Sequence, residues 1–208
     1  MLVLNTGGVV DLSGLESVQN ILILSQLGVH TSKTLVDIIN GTKYPSGKLT
    51  TTWTKFEDYQ TIGDFGDQDD TNYKEGVYVG YRYFDTLNLD VLYPFGFGLG
   101  YTDFEYEIKS ANLIGEEFEV EASIKNIGEF KGKEVLELYL SKTNTTLDEP
   151  YQVLVNFVKS KELSPMEEDT VILKFKLSDF ASYDTTTATY ILDQGTYILR
   201  LGNSSRNT

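Results

Sequence analysis

The sequence predicts a partial α/β layered domain followed by an all-β sandwich, and three observations carry that reading. Short apolar runs that alternate with Gly-rich loops and one helical period fill the first hundred residues. From Phe104 onward the hydrophobic period is two, the signature of strands with one buried face. Between them Tyr73–Tyr101 packs six Tyr and three Phe among five glycines, a dense aromatic join on which both halves can lean. Residues 1–101 and 102–208 are the expected domains.

Leu2–Leu4 is an apolar run closed by Asn5, Thr6, Gly7 and Gly8, as in a buried parallel strand entering a loop. Asp11 and Ser13 offer caps for a short helical turn, and Ile21–Leu24 repeats the strand signature. A helix is expected from about Thr31 to Asn40, with Leu35, Ile38 and Ile39 on one face, Thr31 or Ser32 as the cap and Gly41 as the stop. KYPSGK (43–48) reads as a turn and Leu49–Trp53 as a returning strand, followed by an acidic, polar stretch over Glu57–Asn72. In the second half Phe118, Val120, Ala122 and Ile124 alternate with Glu117, Glu119, Glu121 and Ser123. Leu136, Leu138 and Leu140 repeat that pattern, as do Val171, Leu173, Phe175 and Leu177, and Tyr197, Leu199 and Leu201 form the last strand. Turn signals at Gly128, Gly132, Pro150 and Pro165 divide these runs.

Composition narrows function. A net charge of -14 makes nucleic acid and anionic membranes poor partners and is compatible with a neutral ligand such as a sugar. Without cysteine there is no disulfide framework, thiolate metal site or cysteine nucleophile. No apolar run reaches a membrane span, and a chain that starts inside a strand is expected to be part of something longer. No cofactor and no metal site is expected: PSGK lacks the Walker spacing, with Leu49 where a Ser or Thr should ligate magnesium. GFGLG (96–100) has Tyr101 in place of a third glycine and reads as a tight backbone crossing. Asp64, Asp67, Asp69 and Asp70 lack the glycine and terminal Glu of a calcium loop. His30 is the only histidine, and no GxSxG elbow accompanies it. Glu75 and Asp85 flank the aromatic stretch, where a sugar could stack on rings beside carboxylates; against that stands a polar network of Glu75, Arg82 and Asp85 that is purely structural. Asn40, Asn144 and Asn203 begin glycosylation sequons.

LNTGGVVDLS (4–13), PSGKLTTTW (45–53), YKEGVYVGYRYFD (73–85), YPFGFGLGYTDF (93–104) and NIGEFKGKEVLELYLS (126–141), followed by LVNFVKSKELSP, ASYD and GTYILRLGNSSR, resemble the C-terminal region of family 3 glycoside hydrolases, the β-glucosidase group. The resemblance implies the end of an α/β sandwich domain and a fibronectin type III-like, immunoglobulin-like domain. It places the nucleophilic Asp in a barrel and the acid/base Glu in an earlier part of the sandwich domain, so no catalytic residue is assigned here and Glu75 does not inherit that role. The barrel's Ser-Asp-Trp and Lys-His signatures are absent, since Trp53 follows Thr52 and His30 follows Val29. Gly100 stands where such sequences usually carry Ser, and Met166 where they usually carry Gly. The implied function is that of a C-terminal piece of a β-glucosidase, catalytically incompetent alone, with the missing N-terminal barrel as partner in cis or in trans and a β-glucoside or oligosaccharide as possible ligand. The alternative is a free-standing carbohydrate-binding module that offers Tyr83, Phe84 or Phe97 to sugars.

Overall fold

The computed structural model describes residues 1–59, 69–70 and 72–208. The N-terminal part has strands β1 (Leu2–Leu4) and β2 (Ile21–Ile23), paired in parallel with Leu2 opposite Ile21, and helices α1 (Thr31–Ile39), α2 (Phe56–Tyr59) and α3 (Tyr81–Thr86). Helix α1 ends as expected, with Gly41 at φ +69° donating its amide to the Ile38 carbonyl. Its start differs: His30 is the N-cap residue without a side-chain cap bond, and the Thr31 hydroxyl instead donates back to the Gly28 carbonyl at 2.8 Å. A 3₁₀ turn over Gly28–His30 leads directly into the helix, so no residue there needs to act as a side-chain cap. Asp11 accepts from the Ser13 amide in a local turn rather than capping a helix. Leu49–Trp53 is no regular strand. It meets Tyr93–Phe97 through a Trp53–Tyr93 bridge and through hydrogen bonds between Leu49 and Phe97 and between Gly96 and Leu49. Asp64 and Asp67 lie outside the described residues.

The sandwich comprises β3 (Phe104–Ile114), β4 (Glu117–Asn126), β5 (Val135–Thr143), β6 (Val153–Lys159), β7 (Glu168–Lys176), the short hairpin β8 (Ser182–Asp184) and β9 (Thr189–Ile191), and β10 (Thr196–Gly202). One sheet has the order β3-β4-β7 and the other β10-β5-β6, with antiparallel pairing throughout. Alternation on β4 turns Val120, Ala122 and Ile124 inward, where they meet Leu136, Leu138 and Leu140 of β5, Leu173 and Phe175 of β7, and Leu201 of β10. This is the two-sheet sandwich that the period of two predicts. Asn126 pins its near end. Buried, its amide donates to the carbonyls of Phe130 and Leu163, while its oxygen accepts from the Thr102 hydroxyl and the Gly128 amide.

Strand β5 departs from the alternation read in the sequence. Its second face, Glu137, Tyr139 and Ser141, is as buried as its leucine face. The aromatic stretch covers that second face. No described helix is long and apolar enough to cross a membrane.

Candidate functional site

The aromatic stretch becomes a site because β5 presents Tyr139 and Glu137 outward and α3 lies over them. Tyr81 opens α3, packs edge-on against Tyr139 at 6.1 Å and lies over Phe95 at 4.7 Å with the two rings tilted by 30°, and its hydroxyl accepts the Leu154 amide of β6 at 2.8 Å. On the same short helix Phe84 is fully buried, with Tyr59 and Tyr83 set edge-on to it. Thr86 accepts the Tyr151 amide at 2.8 Å. Bonding therefore crosses from α3 to the sandwich at each of its turns.

Asp85 is buried and ion-paired to Arg206, with Nε to Oδ1 at 2.8 Å, and a second guanidinium nitrogen donates to the Phe84 carbonyl at 2.9 Å. The sequence pointed to Arg82 as that partner. The observed partner is 121 residues away, because the chain end after β10 returns to the join. Ser205 next to it donates its amide to the Phe95 carbonyl, and its own carbonyl accepts from buried Gln152. Glu75 takes no part in this network: its carbonyl closes a turn with the Tyr78 amide, and the residue sits on the rim of an open cleft.

The glycine run makes the crossing it was expected to make. Gly96 holds φ +80°, and a Cβ there would lie 2.7 Å from the Ser204 Cα and closer still to the Glu137 carboxylate. A Cβ at Gly98 would meet the Gly47 carbonyl at 2.5 Å. Below the crossing, Lys48 pairs with Glu134 at 2.8 Å, both nearly buried, and Lys159 donates to the Ser46 carbonyl at 2.9 Å. The PSGK turn thus docks its lysine on a carboxylate rather than on a phosphate.

Electrostatics follow from this burial. Desolvation pushes the Glu137 carboxyl above its ordinary 4.5, while the Tyr139 hydroxyl, donating at 2.6 Å, and the Lys48 charge pull it back down. Burial and then the Glu137 charge drive the Tyr139 phenol upward. These carboxylates are acceptors bound into the join: Asp85 to Arg206, Glu134 to Lys48, Glu137 to Tyr139. Of the rings considered as sugar platforms, Phe84 is wholly enclosed, and Phe97 is stacked on Tyr93 at 4.9 Å.

A second feature is an open cleft of about 670 Å³ between residues 74–82 and the sandwich, with Tyr78, Arg82, Lys142, Asp148, Glu149 and Tyr183 in its wall. The sequence pointed to Glu75 and Arg82 of its wall but not to the cleft itself, whose wall comes from four separated segments.

Comparison with known proteins gives the chain its relatives. The profile of the glycosyl hydrolase family 3 C-terminal domain matches residues 1–101, and that of the fibronectin type III-like domain matches residues 134–205. Beta-glucosidase A of Butyrivibrio fibrisolvens is 34% identical over all of this chain, which covers 28% of that protein, and thermostable beta-glucosidase B of Acetivibrio thermocellus is 33% identical with the same two coverages. Among solved structures, beta-glucosidase 3B from Thermotoga neapolitana in complex with alpha-D-glucose aligns with a TM-score of 0.89 at 36% identity, over 99% of this chain and 29% of that one. The glucose complex of the beta-glucosidase from Kluyveromyces marxianus aligns at 0.93 and 29% identity, over 99% of this chain and 25% of that one. The chain therefore spans between a quarter and three tenths of the length of these relatives.

Proposed function

Because the chain belongs to the family 3 glycoside hydrolases and matches their C-terminal region, we propose that it is the C-terminal part of a β-glucosidase-type hydrolase and acts with an N-terminal barrel supplied in cis or in trans. In this reading residues 1–101 are the end of the α/β sandwich domain with its aromatic linker, and residues 102–208 are the fibronectin-like domain that buttresses it. The observation that carries it is a match along the whole chain to proteins nearly four times as long. Two further features support it. The carboxylates of the join are occupied in holding it together. Apolar side chains such as Val36, Ile39, Val79, Leu92 and Leu99 stand exposed on the N-terminal part, where additional protein would cover them.

Hydrolysis with retention needs two carboxylates on opposite sides of one glycosidic bond, and the chain by itself is proposed to supply neither. Purified chain incubated with an aryl β-glucoside is expected to release no more phenol than buffer does. Turnover at an enzyme-like rate of about 1 s⁻¹ or more overturns the incompetence. Co-purification of a barrel-containing protein with the chain, together with recovery of turnover, would establish the arrangement in trans.

A further inference from the structure

We propose that the cleft between residues 74–82 and the β8–β9 hairpin is a binding site for a neutral oligosaccharide, independent of any barrel. Its base is a built structure. Lys142 and Glu149 form an ion pair at 2.9 Å with side-chain exposures of only 6% and 11%, and Ser182 bonds to both. This pair fixes the start of the hairpin against the loop before β6, so the walls on either side are held at a set separation.

On one wall Tyr78 donates its hydroxyl to Asp148, and that bond pushes its phenol up to about 12. Tyr78 is thereby a fixed, neutral ring at any physiological pH. Beside it Arg82 is half-buried and, among the described residues, makes no ion pair or side-chain hydrogen bond, so its fork of N–H donors is available to the cleft. On the other wall Tyr183 is 51% exposed and is braced edge-on by Tyr190 at 5.2 Å. A braced, half-exposed ring costs little conformational entropy to stack on.

The class of ligand follows from the chemistry of this wall. The lining holds five carboxylates against three cationic side chains, within a chain of net charge -14, and that disfavours an anion. A compact cation would be drawn to the carboxylates, but Glu149 and Asp148 already carry donors from Lys142 and Tyr78. A pyranose ring offers an apolar C–H face for Tyr183 and vicinal hydroxyls that both accept from a guanidinium and donate to carboxylates. At about 670 Å³ the cleft is of the size that small-molecule ligands occupy.

Titration of the chain with glucose, cellobiose and cellotetraose, followed by calorimetry and saturation-transfer NMR, tests the site. Cellotetraose is expected to bind with a Kd on the order of 1 mM, and more tightly than glucose. Tyr183→Ala and Arg82→Ala are each expected to weaken it about fivefold or more, while Tyr183→Phe, which keeps the ring, binds as the unaltered chain does. Circular dichroism melting of each variant shows whether the fold is intact, and the two substitutions act on opposite walls. Absence of saturable binding up to about 20 mM, binding untouched by both Ala variants, or a preference for cellobionate over cellobiose each overturns the proposal. None of these results bears on glucoside turnover, so the site can fail while the hydrolase reading stands, and the reverse.

Discussion

Replacing Arg206 with Ala removes two charge-assisted donors from the join, Nε to Asp85 and the terminal nitrogen to the Phe84 carbonyl. Such hydrogen bonds contribute about 1.5–3 kcal/mol each, and breaking a buried pair costs roughly 3–5 kcal/mol because an uncompensated charge is left inside. The Asp85 side chain is 5% exposed and its second oxygen already lacks a partner, whereas Arg206 is 27% exposed and can recover water. The two single changes should therefore be unequal: about 3–4 kcal/mol for Arg206→Ala and about 1.5–2 kcal/mol for Asp85→Ala. The double variant should fall short of their sum by about 1–2 kcal/mol. Urea unfolding read through Trp53 is the suitable assay, since the chain has this single Trp and it lies buried beside Tyr93, on the N-terminal side of the join. At about 2–4 °C per kcal/mol for a chain of this length, Arg206→Ala should also melt roughly 6–16 °C lower. Additive single effects, or a Trp53 transition that does not move, would refute the view that this pair locks the two parts.

Three other outcomes follow from the same contacts. Gly96→Ala combines a left-handed backbone with a Cβ 2.7 Å from the Ser204 Cα, and should cost about 3 kcal/mol or more in urea melts. Met166→Gly should stabilise by about 1 kcal/mol, because Met166 holds φ +66° at the turn before β7 with its side chain 63% exposed, so little packing is given up for the relief; a lower melting temperature would contradict this. Glu137→Gln should gain on the unaltered chain as pH rises: the raised carboxyl ionises only at the expense of folding, a cost absent below pH 4.5 and growing as pH climbs through the raised value. Melting temperatures taken from pH 4 to pH 8 check it, and a difference that is flat or shrinks with pH would count against it.

How much of this was legible depended on where the covering atoms come from. Val120, Ala122 and Ile124 announce β4 because its other face meets water, which leaves a clean period of two. The same pattern on β5 gave the leucine face correctly and the opposite face wrongly, since Tyr139 and Glu137 are covered by residues some fifty places earlier and no local period records that. Helix α3 was hidden for a related reason. Tyr81–Thr86 is short, starts after a glycine at φ +60° without a side-chain cap, and contains three aromatic residues of modest helix propensity. Its helicity comes from Phe84 seated in the core and Tyr81 bonded to β6. The chain blocks that carry the family resemblance located the join, yet only the folded chain shows that its ionic lock is Asp85 with Arg206 rather than with Arg82.

The two departures from the family pattern are physically different in kind. Met166 occupies a strained turn without compensation. Gly100 is compensated: a Cβ at that position would lie 2.5 Å from the Tyr44 Cζ and closer still to its hydroxyl, so the tyrosine fills the space a side chain at 100 would take. Tyr44 is held there by an edge-on contact with Tyr101 at 6.3 Å and by the open backbone of Gly132, whose own Cβ would come 3.0 Å from the same ring. A serine at 100 is thus excluded by this particular tyrosine rather than by the crossing, and the substitution Gly100→Ser should be costly alone and tolerated together with Tyr44→Ala.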